Sequence, residues 1–125
     1  MKVERIDHLV LTVKDIEATC GFYHDILGME VETYSVRRKA LKFGNQKLNL
    51  HQKGSEFEPK ADKPTPGAID ICFIVEDSLY DIKRELESKN IQIQGIVQRT
   101  GAMGKIHSIY FRDPDENLIE VSNYK

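Results

Sequence analysis

The sequence lacks several features that would assign the chain to a function class at once. It has no tryptophan, only two cysteines, and no apolar run long enough to span a bilayer. Cys20 and Cys72 are too few for a disulfide scaffold, so we expect both to be reduced, buried thiols. The net charge is −2, and basic and acidic residues are interspersed along the chain, so no basic stripe is formed. These absences argue against a membrane protein, a disulfide-rich secreted domain and a nucleic-acid-binding protein.

The chain does have the composition of an ordinary globular domain. Hydrophobic residues make up 40% of the sequence and charged residues 30%. A chain of 125 residues can bury roughly two-thirds of the surface that its unfolded form exposes. Residues 1–5 lead directly into a strand-like segment, without the apolar stretch of a secretory signal. We therefore expect one domain, residues 1–125, located in the cytoplasm.

An internal repeat organises the chain. Residues 6–13 resemble residues 68–75, at an offset of 62 positions. In both copies the next segment has apolar residues at helical spacing, and the segment after it alternates with a period of two. Each copy then closes with a hairpin. The sequence therefore predicts an α+β fold built from two βαβββ modules.

Caps and turns set the expected bounds of the elements. Asp15 and Ser78 are positioned to cap the two helices at their N-termini. Gly28 and Asn90 are turn-prone residues at which the helices can end. The second copy has extra residues within 95–105, whose glycines predict a flexible surface loop of the kind that borders binding sites.

The modules are joined by a charged segment that contains three prolines. We place module 1 at about 4–52, the linker at about 53–66 and module 2 at about 67–124. Neither module is large enough to bury a core of its own. The two modules are therefore expected to form a single domain.

Alternation along the predicted strands separates an apolar face from a polar face. In the first strand Leu9, Leu11 and Val13 lie opposite His8, and the other strands divide in the same way. The apolar faces should pack under the helices, which leaves the polar faces to line a shared space. The candidate side chains on the polar faces are His8, Asn49, His51, Asp70, Tyr110 and Glu120.

A group of imidazoles and carboxylates on one face supports two interpretations. Buried charges of this kind are costly unless they are compensated, and a divalent cation is the usual compensation for a His-plus-carboxylate cluster. Alternatively, the same side chains edge a solvent-filled groove and are satisfied by ordinary hydrogen bonds. Periodicity alone leaves both interpretations open.

Four segments of the sequence together resemble the vicinal oxygen chelate superfamily, which includes glyoxalase I, extradiol dioxygenases, fosfomycin-resistance proteins and bleomycin-binding proteins. The segments are residues 8–13, 22–29, 43–51 and 110–121. The combination of Phe-Tyr and Leu-Gly-Met with a terminal Asp-Pro-Asp-x-Asn-x-Ile-Glu is specific for the superfamily and not for one reaction. Residues 57–61, 99–102 and 111–114 resemble most closely the glyoxalase-domain-containing, virulence-associated group.

The resemblance implies that the paired modules form a curved mixed sheet around a central cavity that holds a metal. His8 and Glu120 match the family's His and Glu ligands. Asp70 stands where a second His is usual, and Asn49 stands where glyoxalase I has a Glu. We expect His8, His51 and Glu120 to be ligands, with Asp70 as a fourth ligand or as a residue that orients one. Such a set suits Ni, Mn, Fe, Co or Zn.

By the same resemblance, the expected function is that of a metal-dependent lyase or isomerase acting on a small molecule with vicinal oxygens. Glu120 would transfer the proton, and Asn49, Arg99 and Tyr110 would contact the substrate. The alternatives are a metal-free protein that binds and sequesters a small molecule, as in the resistance branch, and an extradiol-type dioxygenase. Fosfomycin modification ranks lower because of Asp70. We expect a homodimer, because family members pair their modules within one chain or between chains.

Overall fold

The computed structural model of the protein describes all residues, 1–125, and divides them into two compact units. The first unit comprises Met1–Ala68 and the second comprises Ile69–Lys125. Each unit has the element order βαβββ. The predicted α+β class and the repeated βαβββ unit are therefore confirmed.

The first unit is a four-stranded mixed sheet with one helix. Its elements are β1 (His8–Val13), α1 (Ile16–Leu27), β2 (Glu30–Tyr34), β3 (Arg38–Phe43) and β4 (Gln46–Gln52). The strand order is β1-β4-β3-β2, in which β1 and β4 are parallel and the other pairs are antiparallel. Parallel strands cannot be joined by a tight hairpin and need a longer crossover connection. Here α1 provides that crossover after β1, which allows β1 to pair parallel to β4.

The second unit repeats this arrangement. Its elements are β5 (Asp70–Ile74), α2 (Leu79–Ser88), β6 (Gln94–Gly101), β7 (Gly104–Arg112) and β8 (Leu118–Asn123). The strand order is β5-β8-β7-β6, with β5 and β8 parallel. Neither α1 nor α2 is long and apolar enough to cross a membrane.

The helix ends follow the capping signals in part. The Asp15 carboxylate accepts a hydrogen bond from the Ala18 N–H at 3.1 Å, and α1 ends at Gly28, which has a left-handed φ of 66°. Ser78 precedes α2, but its side chain makes no capping hydrogen bond. After α2 the chain turns through Asn90 at a φ of 59°, a conformation that asparagine tolerates better than most residues.

The apolar faces form the cores of the two units. In the first unit Leu11, Val13, Leu48 and Leu50 are at most 2% exposed, and α1 packs on this side of the sheet. In the second unit Ile109 of β7 and Ile119 and Val121 of β8 are likewise at most 2% exposed, and α2 packs against β7. The predicted division into an apolar and a polar face is therefore observed, and it orients His8, Asn49, Asp70 and Glu120 away from the helices.

Three local predictions were wrong. Residues 95–105 are not a flexible loop but the paired strands β6 and β7, joined by a tight turn at Ala102 and Met103. Residues 91–94 alternate between apolar and polar residues, which predicts a strand directly after the second helix, but β6 begins only at Gln94. Cys72 is exposed rather than buried, because it lies on the polar face of β5. The glycines of residues 95–105 by themselves indicate a loop. Hydrogen bonds between β6 and β7 nevertheless satisfy the backbone N–H and C=O groups of this segment, which makes it a hairpin.

Candidate functional site

The polar face of the second sheet carries most of the predicted site residues. Glu120 on β8 is paired with Cys72 on β5 and with Tyr110 on β7. Because side chains of paired residues lie on the same side of a sheet, these three form one row across it. Asp70 is two residues before Cys72 and therefore on the same face. The row places a carboxylate between a thiol and a phenol.

Hydrogen bonds hold the Glu120 carboxylate in place. Ser108 Oγ donates to Glu120 Oε2 at 2.6 Å. Ser122 Oγ lies 2.7 Å from Ser108 Oγ and 3.2 Å from Glu120 Oε2. Both serines are completely buried, so their hydroxyls have little alternative but to bond within the cluster. Glu120 is therefore a pre-oriented carboxylate rather than a freely rotating surface acid.

A thiol and a phenol complete this cluster. Cys72 Sγ lies 3.2 Å from Ser122 Oγ. Although Cys72 as a residue is exposed, desolvation of its sulfur raises the pKa of the thiol above its ordinary 9.0, and nearby Glu120 acts in the same direction. Burial also raises the pKa of Tyr110 above its ordinary 10.0. Glu120 raises this pKa further, whereas the hydrogen bond from Arg99 acts in the opposite direction. Both groups therefore stay protonated near neutral pH and can donate hydrogen bonds.

Arg99 is connected to this row through Tyr110. Its Nε donates to Tyr110 Oη at 3.2 Å, its Nη1 donates to the Gln98 carbonyl at 2.9 Å, and its guanidinium carbon lies 5.5 Å from the Tyr110 ring centroid. Arg99 is on strand β6, and its register partner Ile106 is on the same face as Tyr110. The structure therefore brings Arg99, Tyr110 and Glu120 together.

Two cavities open on this face of the second unit. The larger has a volume of about 740 Å³ and is lined by Asp70, Arg99, Tyr110 and Glu120, all of which are predicted site residues. It extends along residues 90–94 and past Arg112. The smaller, of about 330 Å³, shares its Arg99, Tyr110 and Glu120 walls with the larger. Glu120 is therefore accessible from both.

The polar face of the first sheet contains the predicted residues Asn49 and His51. Asn49 Oδ1 and His51 Nδ1 are buried and have no hydrogen-bond partner. Phe57 covers the imidazole edge-on at a centroid distance of 5.6 Å, and the Arg38 guanidinium stacks 4.1 Å above the Phe57 ring. Burial, and secondarily the charge of Arg38, lowers the pKa of His51 below its ordinary 6.5. His51 is therefore a neutral imidazole under an aromatic cover.

His8 is in a different environment from His51. Its side chain is 45% exposed, and its Nδ1 lies 2.8 Å from Asp7 Oδ2. The hydrogen bond to His8 lowers the pKa of the Asp7 carboxyl. In the parallel register His8 is beside Lys47, whereas His51 is beside Thr12, four residues further along. At roughly 3.3 Å per residue, the Cα atoms of His8 and His51 are therefore about 13 Å apart in the direction of the strands.

The residue types at the predicted positions suit a divalent metal ion, since imidazole and carboxylate are its common ligands. A neutral His51, with a buried Nδ1 that has no partner, has the donor chemistry of a ligand. No three or more His, Cys, Asp and Glu side chains of the structure are grouped closely enough to hold such an ion.

Sequence reasoning missed the residues that support the predicted ones. Ser108 and Ser122 orient Glu120, Phe57 covers His51, and Arg112 lines the larger cavity. Alternation gave a signal for the serines, because both are an even number of residues from Tyr110 or Glu120 on their strands. Phe57 belongs to a segment that carries the family resemblance, but no periodicity indicated that it covers His51, because it lies in the irregular segment after β4.

The chain is similar to several characterised or solved proteins over its whole length. It is 55% identical over 125 residues to "Virulence protein STM3117" of Salmonella typhimurium, covering 99% of this chain and 87% of the relative. The crystal structure of that protein matches all of this chain with a TM-score of 0.98. "Glyoxalase domain-containing protein RDO1" of Mycosarcoma maydis is 53% identical over 126 residues, covering 100% of this chain and 71% of the relative.

A more distant solved structure has the same fold. The lactoylglutathione lyase of Agrobacterium tumefaciens is 25% identical, with a TM-score of 0.75 over 99% of this chain and 96% of that one. The family model described as "Glyoxalase/Bleomycin resistance protein/Dioxygenase superfamily" matches residues 5–121, which include every predicted site residue and all the helices and strands except the last two residues of β8. The chain therefore belongs to the glyoxalase/bleomycin resistance protein/dioxygenase superfamily.

Proposed function

We propose that the protein is a glyoxalase-type lyase or isomerase that acts on a small molecule with two neighbouring oxygens, and that Glu120 is its proton-transferring carboxylate. The observation that carries this proposal is the Glu120 side chain, which is held by Ser108 and Ser122 and faces two cavities. A positioned carboxylate next to a substrate-sized cavity is what proton transfer between adjacent carbons requires. The 25% identity to a lactoylglutathione lyase supports the same reaction class.

We further propose that a divalent metal is bound by residues from the set His8, His51, Asp70 and Glu120. Asp70 and Glu120 line one cavity, and Asp70 is diagonal to Glu120 across neighbouring strands. Of the two imidazoles, His8 is the more accessible, because Phe57 covers His51. When bound, such an ion would act as a Lewis acid that stabilises negative charge on the substrate oxygens. The candidates remain Ni, Mn, Fe, Co and Zn.

The protein side chains would share the rest of the chemistry. Glu120 removes a proton from one carbon and returns it to the next, and the two serine hydroxyls keep its carboxylate aligned during both transfers. Tyr110 and Arg99 can donate hydrogen bonds to substrate oxygens on the same face. The predicted role of Asn49 as a substrate contact is also part of this proposal, since its Oδ1 makes no other hydrogen bond.

Metal content tests the ligand assignment. Untagged protein should contain a stoichiometric divalent metal by inductively coupled plasma mass spectrometry, and His8→Ala and Glu120→Gln should each lose most of it. Glu87→Gln, a change on the exposed side of α2, serves as the matched control and should retain the metal. Metal that survives both substitutions would rule out the proposed ligands.

Turnover tests the reaction class. Isomerisation of a hemithioacetal should be measured with each candidate metal, and Glu120→Gln should lower kcat by at least about a hundredfold while the fold is retained. Ser108→Ala should lower kcat less, because it disturbs only the orientation of the carboxylate. A wild type without metal, and without thermal stabilisation by added Ni, Mn, Co or Zn, would instead support the sequestering protein. Oxygen consumption with a catechol would support the extradiol-type dioxygenase.

We also propose that the chain acts as a homodimer of the single domain 1–125. The basis is the family resemblance, because members complete their cavities within one chain or between chains. Light scattering at micromolar concentration should give twice the mass of 14.4 kDa. A monomer at that concentration would contradict the proposal.

A further inference from the structure

The thiol of Cys72 is the group in the row beside Glu120 to which the proposed mechanism gives no role. Cys72 is the register partner of Glu120 on β5, and it lines the smaller cavity. Its Sγ lies 3.2 Å from Ser122 Oγ, and either atom can be the donor of that contact. The direction of this hydrogen bond decides whether the thiol supports the hydroxyl groups that hold Glu120 or competes for their protons.

Two short contacts use the protons of both serine hydroxyls. Ser108 Oγ lies 2.6 Å from Glu120 Oε2 and 2.7 Å from Ser122 Oγ. Oxygens at these distances need a proton between them, and each serine has only one to give. Because the ionised carboxylate of Glu120 can only accept, Ser108 donates to it and Ser122 must donate to Ser108. Neither hydroxyl has a proton left for Cys72.

The contact between Cys72 and Ser122 is therefore one in which the thiol donates. Ser122 Oγ also lies 3.2 Å from Glu120 Oε2, but a Ser122 proton shared with that oxygen is equally unavailable to Cys72. Both serines are completely buried, which leaves their hydroxyls to bond within the cluster. The hydrogen bonds thus run in one direction, from the Cys72 thiol through Ser122 and Ser108 to Glu120. We call these four residues the donor series.

The donor series makes the two carboxylate oxygens of Glu120 unequal. Both serine contacts reach Oε2. An oxygen whose lone pairs already accept hydrogen bonds has little capacity for a further proton or ligand. The Glu120 side chain also borders both cavities on this face. Oε1 is therefore the oxygen left to contact a bound molecule.

We propose that Cys72 is a positioning residue for Glu120: its thiol donates to Ser122 and keeps the two serine protons directed towards Oε2, which presents Oε1 to the substrate. Without the sulfur, the space beside Ser122 opens to the smaller cavity, where water can accept the Ser122 proton and turn it away from Ser108. The inference rests on the proposed function for the reaction that Glu120 performs. It adds a residue that aligns the carboxylate and assigns the reacting oxygen.

The S–H stretching band in infrared spectra tests the direction of the bond without any substrate. A thiol that donates a hydrogen bond absorbs at a lower frequency than a thiol that does not. The difference between wild type and Cys72→Ala isolates the band of Cys72 from that of Cys20. We expect the Cys72 band to lie below the frequency of an unbonded thiol in an apolar solvent. A band at the unbonded frequency would overturn the proposal, because Ser122 would then be the donor.

The carbon NMR resonance of Glu120 Cδ, identified by its loss in Glu120→Gln, tests the orientation of the carboxylate. Cys72→Ala should shift this resonance, whereas Cys72→Ser keeps one donor proton and should stay close to wild type. Cys20→Ala removes the buried thiol of α1 and is the matched control, with no shift expected. Cys72 is exposed, so both of its variants are expected to fold. An unchanged resonance in Cys72→Ala, or an equal shift in Cys72→Ser, would overturn the proposal.

Turnover in the hemithioacetal assay adds a readout of the positioning role. Cys72→Ala should lower kcat by a factor of about 3–10 with KM unchanged, because only the alignment of the carboxylate is disturbed. Cys72→Ser should recover the wild-type kcat, which a general loss of stability would not produce. A wild-type kcat in Cys72→Ala would overturn the positioning role. A wild type without isomerase activity would refute the proposed function instead, and the two spectroscopic measurements would then decide the inference by themselves.

Discussion

The polar faces of the two sheets differ in how their polar groups are satisfied, although both units have the same βαβββ order. Asn49 and His51 on β4 correspond in the repeat to Glu120 and Ser122 on β8. In the first unit the Asn49 and His51 side chains each have a buried atom with no partner. In the second unit Glu120 and Ser122 are joined by hydrogen bonds. Hydrogen bonds therefore orient the Glu120 carboxylate, whereas the side-chain oxygen of the corresponding Asn49 accepts none.

A single hydroxyl accounts for much of this difference. Ser108 of β7 and Ala40 of β3 are both completely buried, Ser108 beside its register partner Ser122 and Ala40 beside Asn49. Ser108 donates to Glu120, whereas Ala40 has no group that could donate to Asn49, its register partner. Equivalent backbones can therefore carry either a hydrogen-bonded cluster or a buried unsatisfied pair. The partnerless groups of the first unit are the ones with capacity left for a ligand.

The largest expected effect tests whether the two cores are equivalent. Leu41 of β3 and Ile109 of β7 belong to the cores of the first and the second unit, and neither is exposed. Leu41→Ala and Ile109→Ala should each lower the free energy of unfolding by about 2–5 kcal/mol, through lost burial and the remaining cavity. Urea unfolding followed by circular dichroism gives both values. A loss under about 1 kcal/mol for only one of them would show that the two cores do not contribute equally.

The next effect concerns the two hairpin turns. The Asp113 carboxylate accepts hydrogen bonds from the Asp115 and Asn117 N–H groups and from Asn117 Nδ2, all within 2.9 Å. The β3–β4 turn has instead Gly44 at a φ of 51°. We expect Asp113→Ala to cost about 3 kcal/mol and Gly44→Ala about 1–2 kcal/mol of unfolding free energy. Urea unfolding measures both costs. If they are equal, the hydrogen bonds of Asp113 contribute no more to the free energy of unfolding than the left-handed backbone conformation that Gly44 allows.

A smaller effect tests the role of the buried hydroxyl directly. Ser108→Ala removes this hydroxyl and should cost about 1–2 kcal/mol of unfolding free energy, because Glu120 and Ser122 lose a partner. Asn49→Leu should change the unfolding free energy by no more than about 0.5 kcal/mol, or stabilise, because its Oδ1 is already unsatisfied. Thermal unfolding of the two variants measures the contrast. A large loss for Asn49→Leu would reveal a native contact of this amide.

The smallest effect is the dependence of stability on pH, which should have opposite signs in the two units. The folded-state pKa of His51 is lowered, so below pH 6.5 the unfolded chain takes up a proton that the folded chain does not, and stability falls. The folded-state pKa values of Cys72 and Tyr110 are raised, so the unfolded chain loses protons first and stability falls above pH 9. His51→Gln should reduce the acid slope and Cys72→Ala the alkaline slope in unfolding curves taken across pH. Unchanged slopes would mean that other groups dominate.

The repeat and the strand faces were predictable because they depend on local periodicity. The positions of Leu11 and Val13 against those of His8, and of Val121 against Glu120, follow directly from alternation along a strand. The cap at Asp15 and the helix end at Gly28 likewise depend on the chemistry of one or two residues. The candidate carboxylate Glu120 was found in this way, together with its neighbours Asp70 and Tyr110.

Pairing and contacts between distant segments were not predictable in this way. The glycines near residue 101 indicate a loop, but hydrogen bonds to β7 make the segment a strand, and Gly101 serves to accommodate Tyr124. The cover of Phe57 over His51 depends on how an irregular segment folds back. Such contacts join residues whose sequence separation carries no periodic signal.

The sequence alone determined the class of fold, the two βαβββ units and the face on which each candidate residue lies, because these properties depend on spacing within a segment of a few residues. Only the tertiary structure decided which polar groups meet. It joined Ser108 and Ser122 to Glu120, brought Arg99 to Tyr110 and left Asn49 Oδ1 and His51 Nδ1 without hydrogen-bond partners. The reason is physical: a hydrogen bond requires two atoms within about 3 Å, and strand register and side-chain rotamers, rather than sequence spacing, set that distance.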